Sequence, residues 1–107
     1  MHSYHVYFTA KARITEPEVE ALLTRFIQNE MEDGLMIDAR VLKMTNKASF
    51  PDLPDYHFIA DYQSEADGDE AMSRMKLRMN EEPHASLMKM VSDFRVAFST
   101  ELNVKAQ

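Results

Sequence analysis

The stretch SYHVYFTAK, Ser3 to Lys11, alternates residue types with the period of two that belongs to a β-strand. Val6 and Phe8 make one face apolar, whereas His5, Tyr7 and Thr9 make the other face mixed. A strand of this kind packs against one layer and leaves its second side open. A later stretch, DYHFIADYQ from Asp55 to Gln63, repeats the arrangement of aromatic, histidine and apolar residues, with Phe58 and Ala60 on one face and His57, Ile59 and Asp61 on the other. Two such strands predict a sheet covered on one side, and the segments between and after them decide its topology.

Between the two lies ITEPEVEALLTRFIQNEMEDG, in which Thr15 and Glu18 form a capping box and Pro17 suits a first helical turn. Val19, Leu22, Leu23, Phe26, Ile27 and Met31 recur at helical spacing, and Asp33-Gly34 is the stop. LMIDARVLKMT, Leu35 to Thr45, reads as a second strand, and NKASFPDLP as a loop broken by Pro51 and Pro54. The third strand, Tyr56 to Tyr62, leads to Ser64 as an N-cap and to a second long helix with Ala71, Met72, Met75 and Met79 as its apolar stripe. Glu65, Asp67 and Asp69 favour the positive end of that helix. EEPHASLMKMVSDF predicts a short helix opened by Pro83, with Leu87, Met88 and Val91 facing inward, and FRVAFSTEL, Phe94 to Leu102, a fourth strand.

The order β-α-β-β-α-β with an extra short helix before the last strand is the α+β ferredoxin-like arrangement of two split βαβ units. Handedness rules give a four-stranded antiparallel sheet in the order 4-1-3-2 with both long helices on one face. Ile37, Ala39, Val41, Val96 and Phe98 join Val6, Phe8, Phe58 and Ala60 toward the helices. The open face then carries His5, Tyr7, Thr9, Asp38, Arg40, Leu42, Met44, His57, Ile59, Asp61, Arg95, Ala97 and Ser99. The shortest connections place His5 opposite Asp61, in a row running Ser99, His5, Asp61, Arg40. Tyr7, Ile59 and Leu42 fall in the next row, and Arg95, Thr9, His57 and Met44 in the far one.

Composition sets outer bounds. With 107 residues, 45% of them hydrophobic, and little Gly or Pro, the chain fits one domain over residues 1–107. Its net charge of −6 and scattered basic residues argue against nucleic acid and against an anionic membrane as partners. No apolar run approaches the roughly 20 residues that span a bilayer, and no secretory leader pattern opens the sequence, so the expected location is the cytoplasm. The absence of cysteine removes thiolate nucleophiles, cysteine-bound zinc, iron–sulfur clusters and disulfides. The polar stretch Asn103 to Gln107 is expected to be a disordered tail.

An open face bearing Tyr7, Leu42, Met44 and Ile59 would leave an apolar patch in water, and a second copy about a two-fold axis is the simplest cover. The segments YHVYFTAK, DYHFIADY and PHASLMKMVSDFRVAF strengthen this reading. Through them the chain resembles the dimeric α+β barrel superfamily, and within it an uncharacterised bacterial family, over nearly its whole length. That group includes cofactor-free mono-oxygenases, small isomerases, haem-degrading enzymes, stress-response barrels and domains without known activity. The resemblance implies a homodimer through the sheet face. It carries over no catalytic residue and implies no cofactor.

Candidate chemistry concentrates on the open face. His5 with Asp61 can act as a base oriented by a carboxylate, or as a satisfied structural pair at the dimer surface, with Arg40 as a rival partner for Asp61. His57, Thr9 and Arg95 can hold a carboxylate or phenolate oxygen, with Tyr7, Ile59 and Arg40 lining the same surface; Arg95 serves equally as a surface charge. A metal site of His5, His57 and His84 is not expected, because the first two fall toward opposite ends of antiparallel strands and no HxH or HxxxH spacing supports one. His84 suits a cap or a polar core contact, His2 a frayed terminus, and Met72, Met75 and Met79 core filling. Asp67, Asp69 and Glu70 lack the spacing of a calcium loop, and the third strand lacks an RNA-binding signature.

Two functions follow. One is a small-molecule pocket on the open face, used by a cofactor-independent enzyme of mono-oxygenase or isomerase type on an aromatic or keto acid. The other is a non-catalytic binding module whose polar sheet face serves only dimerisation. A large space between facing sheets favours the first, and a filled interface the second.

Overall fold

Thr15 opens the first helix as its spacing from Glu18 demands. Its backbone N–H donates to the Glu18 carboxylate at 2.7 Å, and its hydroxyl accepts the Glu18 N–H at 3.4 Å. At the far end Gly34, with φ of 91°, turns the chain out and donates its N–H to the Met31 carbonyl. Such a left-handed position suits glycine, which has no Cβ to clash.

The computed structural model describes residues 1–105. Its elements are β1 (His2–Ala10), α1 (Glu16–Asp33), β2 (Met36–Lys43), β3 (Tyr56–Tyr62), α2 (Glu65–Leu77), α3 (His84–Met90) and β4 (Val91–Thr100). The strands form one antiparallel sheet in the order β2-β3-β1-β4, which is the expected 4-1-3-2 counted from the other edge. Val6 and Phe8 of β1 and Phe58, Ala60 and Tyr62 of β3 meet Val19, Leu23 and Phe26 of α1, Ala71 and Met75 of α2, and Leu87 and Met90 of α3 in a single core. The fold is α+β and ferredoxin-like.

Local irregularities move several residues from their expected places. In β2, Met36 pairs with Tyr62 and Asp38 with Asp61, so Ile37 is an extra residue in a bulge. Met36, 3% exposed, therefore takes the core position expected of Ile37, which is 40% exposed. Val96 and Phe98 do face the helix side, beside Val6 and Tyr4, but Phe98 is 51% exposed because the helices cover β1 and β3 and stop short of the edge strand. The second helix ends at Leu77, which leaves Met79 exposed beyond the stripe. In α3, Met90 rather than Met88 points inward with Leu87. No loop separates α3 from β4: Met90 ends the helix, Val91 starts the strand, and the Met90 carbonyl accepts the Lys11 N–H at 2.8 Å.

His2 is not frayed. It pairs in β1 with Tyr62 and Thr100, stacks on Phe98 at 5.7 Å and lies over Gly68 of α2. A Cβ at Gly68 would stand 2.7 Å from His2 Cδ2, so that glycine is needed for the close approach. Of the expected tail, Asn103 to Lys105 is exposed and without a regular element, and Ala106 and Gln107 lie outside the described residues.

Candidate functional site

The pairing of the two central strands decides which polar groups of the open face meet. Ser3 stands opposite Asp61, His5 opposite Ile59 and Tyr7 opposite His57. The register thus differs by two residues from the expected one. A slip of two preserves the faces, because side chains alternate with period two, and it exchanges every cross-strand neighbour.

Consequently His5 does not meet Asp61. The Asp61 carboxylate instead accepts the Ser3 hydroxyl at 2.6 Å, with Asp38 as its cross-strand neighbour on β2. Arg40 lies opposite Ile59 and forms no ion pair among the described residues. His5 and His57, expected near opposite ends of their strands, are diagonal neighbours with Nδ1 of the first 2.9 Å from Nε2 of the second. The remaining ring nitrogen of His5 lies 2.7 Å from the Ser99 hydroxyl oxygen, and His57 stacks on Tyr7 at 4.1 Å with an interplanar angle of 12°.

The three groups form one chain. A neutral imidazole carries one donor and one acceptor, so if His5 donates to His57 it accepts from Ser99, and the reverse assignment reverses both bonds. Protons on both facing nitrogens would break the central bond. Burial first, then the charges of His5 and Arg40, hold His57 below the ordinary histidine pKa. Two other candidates are already engaged. Arg95 donates to the Asp93 carboxylate at 2.9 and 3.2 Å and to the Asp52 carbonyl at 3.1 Å, and the Thr9 hydroxyl oxygen accepts the Asp55 N–H at 3.1 Å. Leu42 is exposed opposite His57, and Ile59 is buried between its neighbours.

A second candidate lies on the helix side. Between the sheet and the three helices is an apolar cavity of about 60 Å³, walled by residues that include Tyr4, Leu23, Phe58, Met75, Leu87 and His84. The exposed Met88 and Phe94, which also line it, mark its mouth between α3 and β4. His84 stacks on Phe26 at 5.8 Å, and its Nδ1 is sealed from solvent without a hydrogen-bond partner. Burial holds its pKa below the ordinary value, the nearby Arg78 charge acts in the same direction, and the Met79 carbonyl opposes them. His84 is thus a half-buried polar side chain against the core, in line with the polar contact expected of it, with one ring nitrogen left unpaired. It is on the other side of the sheet from His5 and His57. Among the described residues no group of three or more His, Cys, Asp or Glu is gathered for a metal.

The same imidazole walls a small hollow of about 50 Å³, whose other sides include Phe26 and Met75 as well as Glu30, Arg78, Glu81 and Glu82. Glu30 is 6% exposed and accepts from Arg78 at 3.1 and 3.3 Å. Arg78 also lies 3.8 Å from Asp33, which Arg74 holds at 2.9 Å. Burial raises the Glu30 pKa, against the lowering effect of Arg78. The hydroxyl of fully buried Tyr62 has no partner, and burial with the Glu30 charge pushes its pKa far up. Sequence alternation could not separate these cavity-lining residues from ordinary core. The one signal was a histidine among the apolar residues of PHASLMKM.

No protein-family model and no curated protein sequence matches the chain. Solved structures match along nearly its full length. It is similar to the Arabidopsis thaliana protein At3g17210, with a TM-score of 0.75 and 10% identity over 99% of this chain and 100% of that one. It is similar to SnoaB, a cofactor-independent oxygenase from Streptomyces nogalater, with a TM-score of 0.72 and 15% identity over 99% and 97%. A dimeric ferredoxin-like protein of unknown function from Thermobifida fusca matches with a TM-score of 0.62 and 16% identity over 94% and 90%. These likenesses bear out the ferredoxin-like fold.

Proposed function

We propose that this chain binds a small organic molecule in the apolar cavity between helices and sheet, that His84 removes a proton from it, and that the open face packs against a second copy. The observation that carries the reading is His84 itself, a histidine with a buried, unpartnered Nδ1 among the residues that wall an otherwise apolar cavity. Buried polar atoms are nearly always paired, so an orphan in a cavity-lining side chain fits a ligand that turns or reaches the ring as its partner. A histidine held below its ordinary pKa is neutral near pH 7 and therefore a base. SnoaB, with the same fold, is a cofactor-independent oxygenase, and removing a proton is one way for side chains alone to make an organic molecule electron-rich enough to meet oxygen.

The cavity of about 60 Å³ holds about two waters at their liquid share of roughly 30 Å³ each. A larger ligand widens it by moving Met75 and Met88, whose unbranched side chains adapt readily. Titration with 4-nitrophenol, followed by the NMR signals of the methionine methyls and the histidine rings, tests the location. Shifts at Met75, Met88 and His84 are expected. Shifts confined to His5 and His57 would overturn it.

That contrary outcome would support a second reading, favoured by the hydrogen-bonded chain of Ser99, His5 and His57. There the ligand sits over the open face between two protomers, with His57 taking the part first expected of Asp61 beside His5 and with Tyr7, Arg40 and Ile59 lining the surface. The dimer itself is tested by sedimentation of Leu42→Glu, which is expected to be monomeric if the open face is the interface.

A further inference from the structure

We propose that the small hollow shared by His84, Glu30 and Arg78 is the exit for the proton that His84 removes, with Glu30 as the acceptor. This rests on the reading that the ligand occupies the apolar cavity. His84, together with Phe26 and Met75, lines both of two compartments, one apolar and one with charged residues in its lining, and it is the titratable group of the three. An imidazole can accept at one ring nitrogen and donate at the other, so a histidine in a partition can pass a proton across it.

Helix geometry builds the arrangement. Phe26 and Glu30 are four residues apart on α1, hence on one face, and Phe26 stacks on His84 while Glu30 lines the hollow behind it. The hollow of about 50 Å³ has room for a water and polar groups to hold it. A carboxylate 6% exposed is unusual in a folded protein, because burying charge is costly even with a partner. Burial gives Glu30 a raised affinity for a proton.

The surrounding charges favour onward transfer. Facing His84 are Glu30 from α1, Arg78 at the end of α2, Glu81 and Glu82 from the link to α3, and the Met79 carbonyl, which competes with the water for the ring N–H. The Arg78 charge opposes holding the proton on His84. Facing Glu30 are Arg78, Arg74, Asp33 and the Tyr62 hydroxyl, of which only the two arginines oppose its protonation. In the transfer, the ligand O–H bond breaks and an N–H bond forms on His84. The N–H on the opposite nitrogen breaks, and its proton reaches a Glu30 oxygen through the water. The ligand is left as the anion, the imidazole as its other tautomer, and no electrons change hands.

The test uses the full chain and 4-nitrophenol at a pH where the free protein's Glu30 carboxyl carbon signal marks it ionised. On binding, the phenolate absorbance should grow while that signal moves to its protonated position, and His84→Ala should abolish both. In Glu30→Gln the probe should still bind, with ionisation of the bound probe reduced about tenfold, the effect of one pKa unit. If phenolate forms in the cavity while the Glu30 signal stays fixed, the relay is wrong and Glu30 serves only Arg78. If the probe leaves Met75 and Met88 unmoved, the underlying cavity reading fails instead.

Discussion

Replacing Arg78 with methionine isolates the electrostatics of the α1–α2 interface. The guanidinium makes two contacts with Glu30 at 3.1 and 3.3 Å and approaches Asp33 at 3.8 Å. Methionine keeps much of the stem and removes the charge, which strands a carboxylate that is 6% exposed beside a second anion. Breaking a fully buried pair from one side costs about 3–5 kcal/mol. The Arg78 side chain is 35% exposed, so water screens part of the interaction, and roughly 2 kcal/mol at pH 7 is the expected loss. For a domain of this size that lowers Tm by about 8–12 °C. The pH dependence gives the sharper test. The Glu30 pKa is already raised in the folded state, so the folded protein binds the extra proton and stability falls as pH rises from the ordinary glutamate range toward the raised value. Loss of Arg78 raises that value further, so the deficit of Arg78→Met should shrink on acidification as Glu30 becomes neutral. Calorimetric melting of both proteins from pH 4.5 to 8 measures it. A deficit that is the same at every pH, or one that survives in Arg78→Met/Glu30→Gln, would refute the account.

Three further outcomes are expected. Gly68→Ala should destabilise by roughly 1–3 kcal/mol through overpacking against His2, and His2→Ala in the same chain should recover most of the loss in urea denaturation. Thr15→Ala should cost about 1 kcal/mol by removing the cap of α1, read by the same denaturation. His57, held low by burial and by its charged neighbours, should titrate by NMR below an ordinary histidine; since the unfolded chain binds its proton more readily, stability is lost as pH falls through the ordinary histidine range, and His57→Phe should flatten that slope.

Much of the architecture is local chemistry and could be read without coordinates. The Thr15–Glu18 box, the Asp33-Gly34 stop, the Ser64 cap and the alternation in β1 and β3 each depend on residues a few positions apart. The pairings of the open face do not. Sliding β1 by two residues along β3 buries the same faces, so hydrophobic pattern could not choose between His5 beside Asp61 and His5 beside His57. The bulge at Ile37 was equally hidden, since Met36 and Ile37 are both apolar and either can fill the core. The cavity was invisible for another reason. Leu23, Phe58 and Leu87 line it with the side chains a filled core would use, and only the packing around them leaves the gap.

The direct passage from α3 into β4 gives these parts a mechanical relation. Leu87, Met88 and His84 are cavity wall on one side of the Met90–Val91 junction, while Ser99, the hydrogen-bond partner of His5, belongs to the strand on the other. With Lys11 fastening the junction to the end of β1, outward displacement of α3 by an incoming molecule reaches the edge strand at the bulge between Ser92 and Arg95, where Asp93 has a φ of 47°. The cavity and the open face sit on opposite sides of the sheet, yet a single continuous segment serves as wall for one and border for the other.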